Sequence, residues 1–530
     1  MIISVRSVLT MKKIQFILFS MDQLSSEQLG GMQVDMRLLL LIKPRYSQLL
    51  ADGRSMRDAL FEAVRGAMLQ GELKQGDRLP ATRELAGKLG ISRGTVNAVY
   101  DMLYADGYIR SETGRGTFAA YRQASLSSAG SEGTAGAAIA LSAWGRRMMD
   151  DAFVNESFDT FATEPRLELD LRVGRTDVSA FPAGEWKRAV YAAVREFAEN
   201  ERADAFATEG HEGLRRAIAV HLARERGIDA KASQIAVTNG SMQAIALLAM
   251  LLVEQDGQAV IENPSFTGIR RAIRAAGGVP LPAEVDKSGI VPADWQAKLL
   301  FVTPSRQFPT GAVLALERRI ALLEWASRRG AVIVEDDYDS EFRWGGRPIE
   351  PLKAMDREGR VVYVGSFSKS LHADVRIGYA VLPERLVEPF RRAKFWTEPH
   401  PTGLVWQRAL ASFMADGEYA RHLRRMQRIY GRRLERFRTS AEEALSEWFD
   451  IYPAEAGLHV YGEWRGAPDR YDQLAEACRQ AGVAWSGGRR HWYGEEPMRR
   501  SALFGFAHLD EACIDEAVRR IRAAAKVLCH

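Results

Sequence analysis

Val361-Val-Tyr-Val-Gly-Ser-Phe-Ser-Lys369 is a short apolar run that ends on a small polar loop and a lysine. Such a run, bounded by turn residues, reads as a strand buried on both faces. Similar runs stand at Gln234-Ile-Ala-Val-Thr238, Ala259-Val-Ile261, Leu299-Leu-Phe-Val-Thr303 and Ala331-Val-Ile-Val334. Amphipathic helical stretches over 241–254, 266–277 and 316–329 alternate with them. The alternation predicts a large α/β domain with a mainly parallel sheet, from residue 166 to residue 530. In such sheets ligands collect beyond the carboxyl ends of the strands.

Three of those strand ends carry candidate chemistry. Lys369 lies among Ser366, Phe367 and Ser368, with Arg376 seven residues on. Desolvation in such a loop removes the charge of a lysine and makes it nucleophilic, whereas a surface lysine stays an ordinary cation. Thr238-Asn-Gly-Ser-Met-Gln-Ala opens a helix. The free N–H groups of a helix start suit a phosphate, although Gly-Ser there also serves as a plain cap. Val334-Glu-Asp-Asp-Tyr-Asp-Ser-Glu341 clusters acids. It reads as a metal site, as a cofactor site in which a carboxylate meets a ring nitrogen and Tyr338 a phenolate, or as a solvated acidic loop.

Upstream lies a different module. Met56, Leu60, Val64, Met68 and Leu69 share helical spacing and end at Gly71. Leu79-Pro-Ala-Thr-Arg-Glu-Leu-Ala-Gly-Lys-Leu-Gly-Ile-Ser-Arg-Gly-Thr-Val-Asn-Ala-Val-Tyr-Asp-Met-Leu103 then reads as two short helices around Gly90, the second capped by Ser92. That is a helix-turn-helix, whose second helix enters a major groove. Tyr108-Ile109-Arg110 and Thr117-Phe118 flank Gly114-Arg115-Gly116 as a two-stranded wing. The expected DNA contacts are Arg83, Ser92, Arg93, Thr95, Asn97 and Arg115. From Tyr46 to Phe118 ten Lys/Arg face nine Asp/Glu, so placement rather than bulk charge carries this reading.

The chain has 530 residues, 46% hydrophobic and 26% charged, with formal net charge +4. These values fit two to four soluble domains and exclude a disordered chain or a multi-span membrane protein. Cys478, Cys513 and Cys529 form no disulfide framework and no zinc spacing, which fits a reducing compartment. Residues 1–45 read as an extension. Its apolar run after Lys12 and Lys13 is too short to span a bilayer. Residues 46–118 form the DNA-binding domain. Residues 119–165 form a linker, rich in Ala, Ser and Gly at its start and therefore flexible.

About 70 residues ending at Phe118 resemble the winged helix of the GntR superfamily of bacterial regulators, with the shared motifs running from Leu79 to Phe118. The order of strand-end motifs resembles fold-type-I aminotransferases over some 350 residues. TPSRQFPTG (303–311), EDDYDSEFR (335–343) and YVGSFSKS (363–370) are similar to those of the MocR-type branch, which joins the two. The resemblance implies a cytoplasmic homodimeric transcription regulator. Its partners would be a double-stranded DNA operator, pyridoxal 5'-phosphate (PLP), and a small amine or amino-acid effector, with no membrane. The second reading is a working PLP-dependent aminotransferase that carries a DNA-binding domain.

Residue by residue, the resemblance implies that Lys369 forms the Schiff base with PLP. Asp336 pairs with the ring nitrogen and Tyr338 bonds the 3′-oxygen. Gly240, Ser241 and Met242 cradle the phosphate, which Ser366, Ser368 and Arg376 complete. Phe266 stacks on the ring, where the family often has tyrosine. Four departures follow. Arg115 stands inside the wing, where many members carry serine, Phe266 lacks the tyrosine hydroxyl, and Arg306 stands where histidine is usual. In Leu503-Phe-Gly-Phe506, leucine takes the place of the arginine that clamps a substrate α-carboxylate. Slow or absent transamination of α-amino acids is therefore expected, with Arg306 as a candidate replacement clamp.

Overall fold

The computed structural model of the chain describes residues 33–121, 139–149, 167–199, 207–345, 349–494 and 499–529. The chain divides into two units, Met1–Ala138 and Ile139–His530.

In the first unit, α1 (Gln33–Ala51), α2 (Met56–Leu69), α3 (Thr82–Leu89) and α4 (Arg93–Ala105) surround a small sheet. The sheet order is β1 (Arg78–Leu79), β3 (Gly116–Ala119), β2 (Ile109–Glu112). Leu60, Val64, Leu85, Val96, Val99 and Leu103 supply its core, the residues that helical spacing turns inward. Gly90 ends α3 at φ +68°, a conformation glycine takes without steric cost. Ser92 caps α4 by accepting from the Thr95 N–H at 3.0 Å. The Tyr100 hydroxyl donates to the Pro80 carbonyl at 2.8 Å and ties the recognition helix to the start of α3.

One boundary differs from the expectation. Leu39, Ile42 and Tyr46 of α1 are buried in this core, so the packed unit begins ahead of residue 46. Their i, i+3 and i+7 spacing is helical, but Pro44 falls within the run and disguises it. Residues 1–32 of the expected extension, and 122–138 and 150–165 of the expected linker, lie outside the described residues. Within the linker, Ser142 caps a six-residue helix, Ala143–Met148.

The second unit is built on an eight-stranded sheet, ordered β5-β12-β11-β10-β9-β6-β7-β8. Its strands are β5 (Ile235–Thr238), β6 (Gln258–Asn263), β7 (Val279–Asp286), β8 (Gly289–Ile290), β9 (Leu299–Val302), β10 (Val332–Asp337), β11 (Val361–Ser366) and β12 (Gly378–Val381). Neighbours from β11 through β7 run parallel. β12 runs antiparallel to both β11 and β5, and β8 pairs antiparallel with β7. The central strands are buried along nearly their whole length, which is why they read as continuous apolar runs.

The helices used below are α5 (Ala183–Glu199), α6 (Glu212–Arg226), α7 (Ser241–Leu252), α8 (Thr267–Ala275), α9 (Leu316–Arg329), α10 (Glu384–Thr397), α11 (Leu404–Ala415) and α12 (Glu418–Leu445). After α12 a second sheet runs β13-β14-β16-β15-β4. It comprises β4 (Leu169–Leu171), β13 (Phe449–Ile451), β14 (His459–Trp464), β15 (Val483–Gly487) and β16 (Ser501–Gly505). β4 comes from the start of the unit and pairs parallel with β15, so the two ends of the domain close on one core.

Candidate functional site

The carboxyl ends of β5, β10 and β11 open on one cavity of about 310 Å3. Gly240, Ser241, Met242, Phe266, Asp336, Tyr338, Ser366, Ser368, Lys369 and Arg376 all reach its wall. The sequence expectation drew these ten from separate segments, and the structure brings every one of them together.

Strand pleat divides the acidic segment. Side chains alternate along β10, so Asp336 and then Tyr338 face the cavity while Glu335 and Asp337 face away. Glu335 accepts from the backbone N–H groups of Leu352 and Lys353 at 3.1 and 2.8 Å. Asp337 accepts from Arg226, Ser340 and Tyr363, each at 2.7 Å. All four acids from Glu335 to Asp339 are buried. The solvated-loop reading is therefore ruled out: these acids belong to the strand and its first turn.

Among the described residues Asp336, the acid that faces the cavity, meets no cation. Its Oδ1 is buried without a hydrogen-bond partner. Burial, with the neighbouring Asp337 and Asp339 carboxylates, pushes its carboxyl up to about 7. The Tyr338 hydroxyl accepts from Arg306 Nη1 at 2.9 Å and keeps its own proton to donate. Burial holds that phenol well above its usual value.

Lys369 follows β11. Its Nζ donates to the Gly174 carbonyl, and burial, with the Arg376 charge, pulls its pKa below the ordinary lysine value against the pull of Asp339. Burial thus disfavours the charged form of an amine that stands at the cavity wall.

On the opposite wall, α7 begins at Ser241 with Gly240 before it at φ +74°. A Cβ on Gly240 would stand 2.8 Å from Arg376 Nη2, so only glycine lets the guanidinium approach the helix start. Arg376 itself takes φ +52°, a left-handed strain of the kind that collects at ligand sites. Among the described residues no carboxylate pairs with it. Helix start, glycine and free guanidinium make an anion cradle.

Sequence reasoning missed several residues of the same wall, among them Arg175, Asp339, His459, Arg490 and His491. Arg175 pairs with Asp170 at 2.8 Å. His491 is buried, its Nδ1 has no hydrogen-bond partner, and its ring meets Phe308 edge-on at 5.0 Å. Burial and the charges of Arg490 and Arg270 pull its pKa to about 3, so the ring is neutral. Asp339 stands within the acidic segment itself, whereas Arg175, His459, Arg490 and His491 arrive from segments distant in sequence that no local pattern marks.

Arg306, the candidate clamp, does not line the cavity. Its side chain is 4% exposed and donates to the Tyr338 hydroxyl at 2.9 Å, to Asp339 at 3.3 Å and to the His459 carbonyl at 2.7 Å. Leu503 sits fully buried in β16, in register with Tyr461 and Ser486. Arg499 pairs with Asp450 and Arg500 with Asp472, and neither lines the cavity.

In the first unit, Arg83 and Arg93 project exposed from the starts of α3 and α4, and among the described residues neither meets a carboxylate. Asn97 is exposed one turn beyond Arg93. Ser92 and Thr95 are partly spent on the cap, their hydroxyls 2.8 Å apart. Arg115 sits exposed at the wing tip, 3.0 Å from Glu112.

Residues 174–521 match the family described as aminotransferase class I and II, and residues 56–119 match bacterial regulatory proteins of the gntR family. The chain is 35% identical to the probable rhizopine catabolism regulatory protein MocR of Rhizobium meliloti, over 88% of this chain and 93% of that protein. It is 30% identical to the pyridoxine biosynthesis transcriptional regulator PdxR of Corynebacterium glutamicum, over 86% and 93%. Among solved structures, a multiple substrate aminotransferase from Thermococcus profundus aligns with TM-score 0.65 at 23% identity, over 73% of this chain and 98% of that one. That last likeness establishes the fold.

Proposed function

The chain belongs to the MocR-type transcription regulators, in which a gntR-family helix-turn-helix is joined to an aminotransferase class I and II domain, and from that premise we propose that its large domain binds PLP and reports the cofactor, or an amine captured on it, to operator DNA. The convergence of ten residues on one cavity carries the reading.

The residues present fit the cofactor. The unpartnered Asp336 carboxyl lacks a cation, which a protonated ring nitrogen supplies. The Gly240–Arg376 cradle lacks an anion, which a phosphate supplies. When bound, PLP provides an aldehyde for covalent capture of amines and an electron-withdrawing ring. Lys369 would hold the cofactor through its amine, whose charged form burial disfavours. Tyr338 would hold the cofactor by donating its hydroxyl proton, and Arg306 keeps the phenol in place. Phe266 would pack against the cofactor. Ser241, Met242, Ser366 and Ser368 complete the phosphate hold. The remaining wall, around Arg175, His459 and His491, receives the effector.

An effector that binds one conformation better than another shifts the DNA-binding equilibrium by that difference in affinity. No α-carboxylate clamp stands at Leu503, which supports regulation over turnover. The protein acts in the cytoplasm, where the operator is, and as a homodimer, since two half-sites need two helix-turn-helix units. Exposed Tyr191 and Phe197 on α5 and Trp396 at the end of α10, the last 86% exposed, support a further apolar contact between copies.

Adding PLP to cofactor-free protein tests the reading. It requires a visible absorbance band and, after borohydride reduction, cofactor on the peptide that holds Lys369. Label elsewhere contradicts it. Sedimentation of the loaded protein as a monomer at micromolar concentration contradicts the homodimer.

A further inference from the structure

Helix α12 carries eight arginines and two glutamates between Glu418 and Arg438. Its buried face is spent: His422, Leu423, Met426, Tyr430, Leu434 and Phe437 all enter the domain interior. At 100° per residue, Arg421, Arg425, Arg428 and Arg432 fall on one stripe on the opposite side, with Arg424 beside it. All five are exposed. Over eleven residues the stripe is about 16 Å long.

Ion pairing leaves most of that charge standing. Arg421 meets Glu418 at 2.8 Å and Arg432 meets Glu511 at 3.7 Å. Arg424, Arg425 and Arg428 meet no carboxylate among the described residues. Holding like charges in a row costs free energy unless an anion is bound.

The DNA-reading unit has little bulk charge, ten Lys/Arg against nine Asp/Glu from Tyr46 to Phe118. Affinity for DNA comes largely from phosphate neutralisation. The helix-turn-helix and this arginine stripe therefore lie in different units of the chain.

We propose that the Arg421–Arg432 face of α12 is a second DNA-contacting surface, which lies along the phosphates of duplex outside the bases read by α4. The inference rests on the regulator reading above. A duplex presents about one negative charge per 1.7 Å of its axis, enough for every arginine of the stripe. A membrane surface is the weaker partner, because an interfacial helix needs an exposed apolar face and that of α12 is buried.

The test measures binding of the full, PLP-treated chain to a random-sequence duplex between ~50 and ~200 mM salt. The triple variant Arg424→Gln/Arg425→Gln/Arg428→Gln is expected to lower the salt slope by about two to three, at ~0.9 for each phosphate that is no longer neutralised. Its melting temperature and visible absorbance should match the wild type. The corresponding triple lysine variant should restore the slope. Arg391→Gln/Arg392→Gln, which removes arginines already paired to Glu388, should leave it unchanged. An unchanged slope in the triple glutamine variant, with Arg93→Ala still weakening operator binding, overturns the inference and leaves the regulator reading standing. So does loss of binding to phosphatidylglycerol vesicles without change on DNA. Absence of any wild-type binding to DNA defeats the regulator reading itself.

Discussion

Arg306 Nη1 donates to the Tyr338 hydroxyl at 2.9 Å, from a guanidinium buried behind the cavity wall. The contact makes Arg306 a positioning residue for the phenol and the counter-charge of Asp339. Arg306→Ala leaves the buried Asp339 without its cation, at a cost of about 3–5 kcal/mol. A lower melting temperature and a shifted absorbance of bound PLP are expected, with no selective loss of carboxylate-bearing amines. Unchanged stability with such a selective loss would restore the clamp role.

Lys369→Ala should still bind PLP, through the Gly240–Arg376 cradle and Asp336, but without covalent attachment. Borohydride reduction followed by mass spectrometry checks this. Cofactor trapped on the alanine variant would move the nucleophile to another lysine.

Asp336 links the cavity to pH. Burial, Asp337 and Asp339 place its carboxyl near 7 in the cofactor-free fold, against an unfolded value near 3.8. Between those values the native state holds a proton that the unfolded state has released, so this group's contribution to stability falls as pH rises. Asp336→Asn removes that penalty. Its melting temperature relative to wild type should climb from pH 4 to pH 7 and flatten above, a gain on the order of a few kcal/mol. A pH-independent difference would place the Asp336 carboxyl at an ordinary value.

Arg93 begins the recognition helix and has no carboxylate partner among the described residues. Arg93→Ala should weaken operator binding by about 1–3 kcal/mol if the guanidinium reads a base edge. An equal loss on random duplex would assign it to phosphate alone.

Turnover needs the amino acid held in one orientation, and a misplacement of about 1 Å costs ~100-fold. With leucine at 503 buried in β16, stopped-flow spectra with common α-amino acids should change slowly or not at all. Rates above about one per second, the low end of enzyme turnover, would favour the aminotransferase reading.

Motifs that sit at strand or helix ends were legible before the structure. Lys369, Asp336 and Gly240 each follow an apolar run, and a parallel sheet gathers such ends on one edge. The helix-turn-helix was legible because Gly90 and Ser92 state their backbone roles in their side chains. His491 and Arg490 were not, since their place depends on how the turn after β15 meets the segment before α8. Ser265 N–H donates to the His491 carbonyl, and Asn263 holds Tyr493 by two hydrogen bonds. The partners of Arg306 were not legible, because its sequence position near the site does not say that its guanidinium is spent on Tyr338, Asp339 and the His459 carbonyl. The start of the first unit was misplaced because the buried face of α1 spans Pro44.

The central claim is that the Lys369 cavity governs DNA binding. Operator affinity should be measured at one salt concentration for cofactor-free and PLP-loaded protein, in wild type and Lys369→Ala. A change of tenfold or more on loading wild type, about 1.4 kcal/mol of coupling, reduced in Lys369→Ala, is the expected result. Equal affinity in all four states, with PLP shown to be bound, would contradict it.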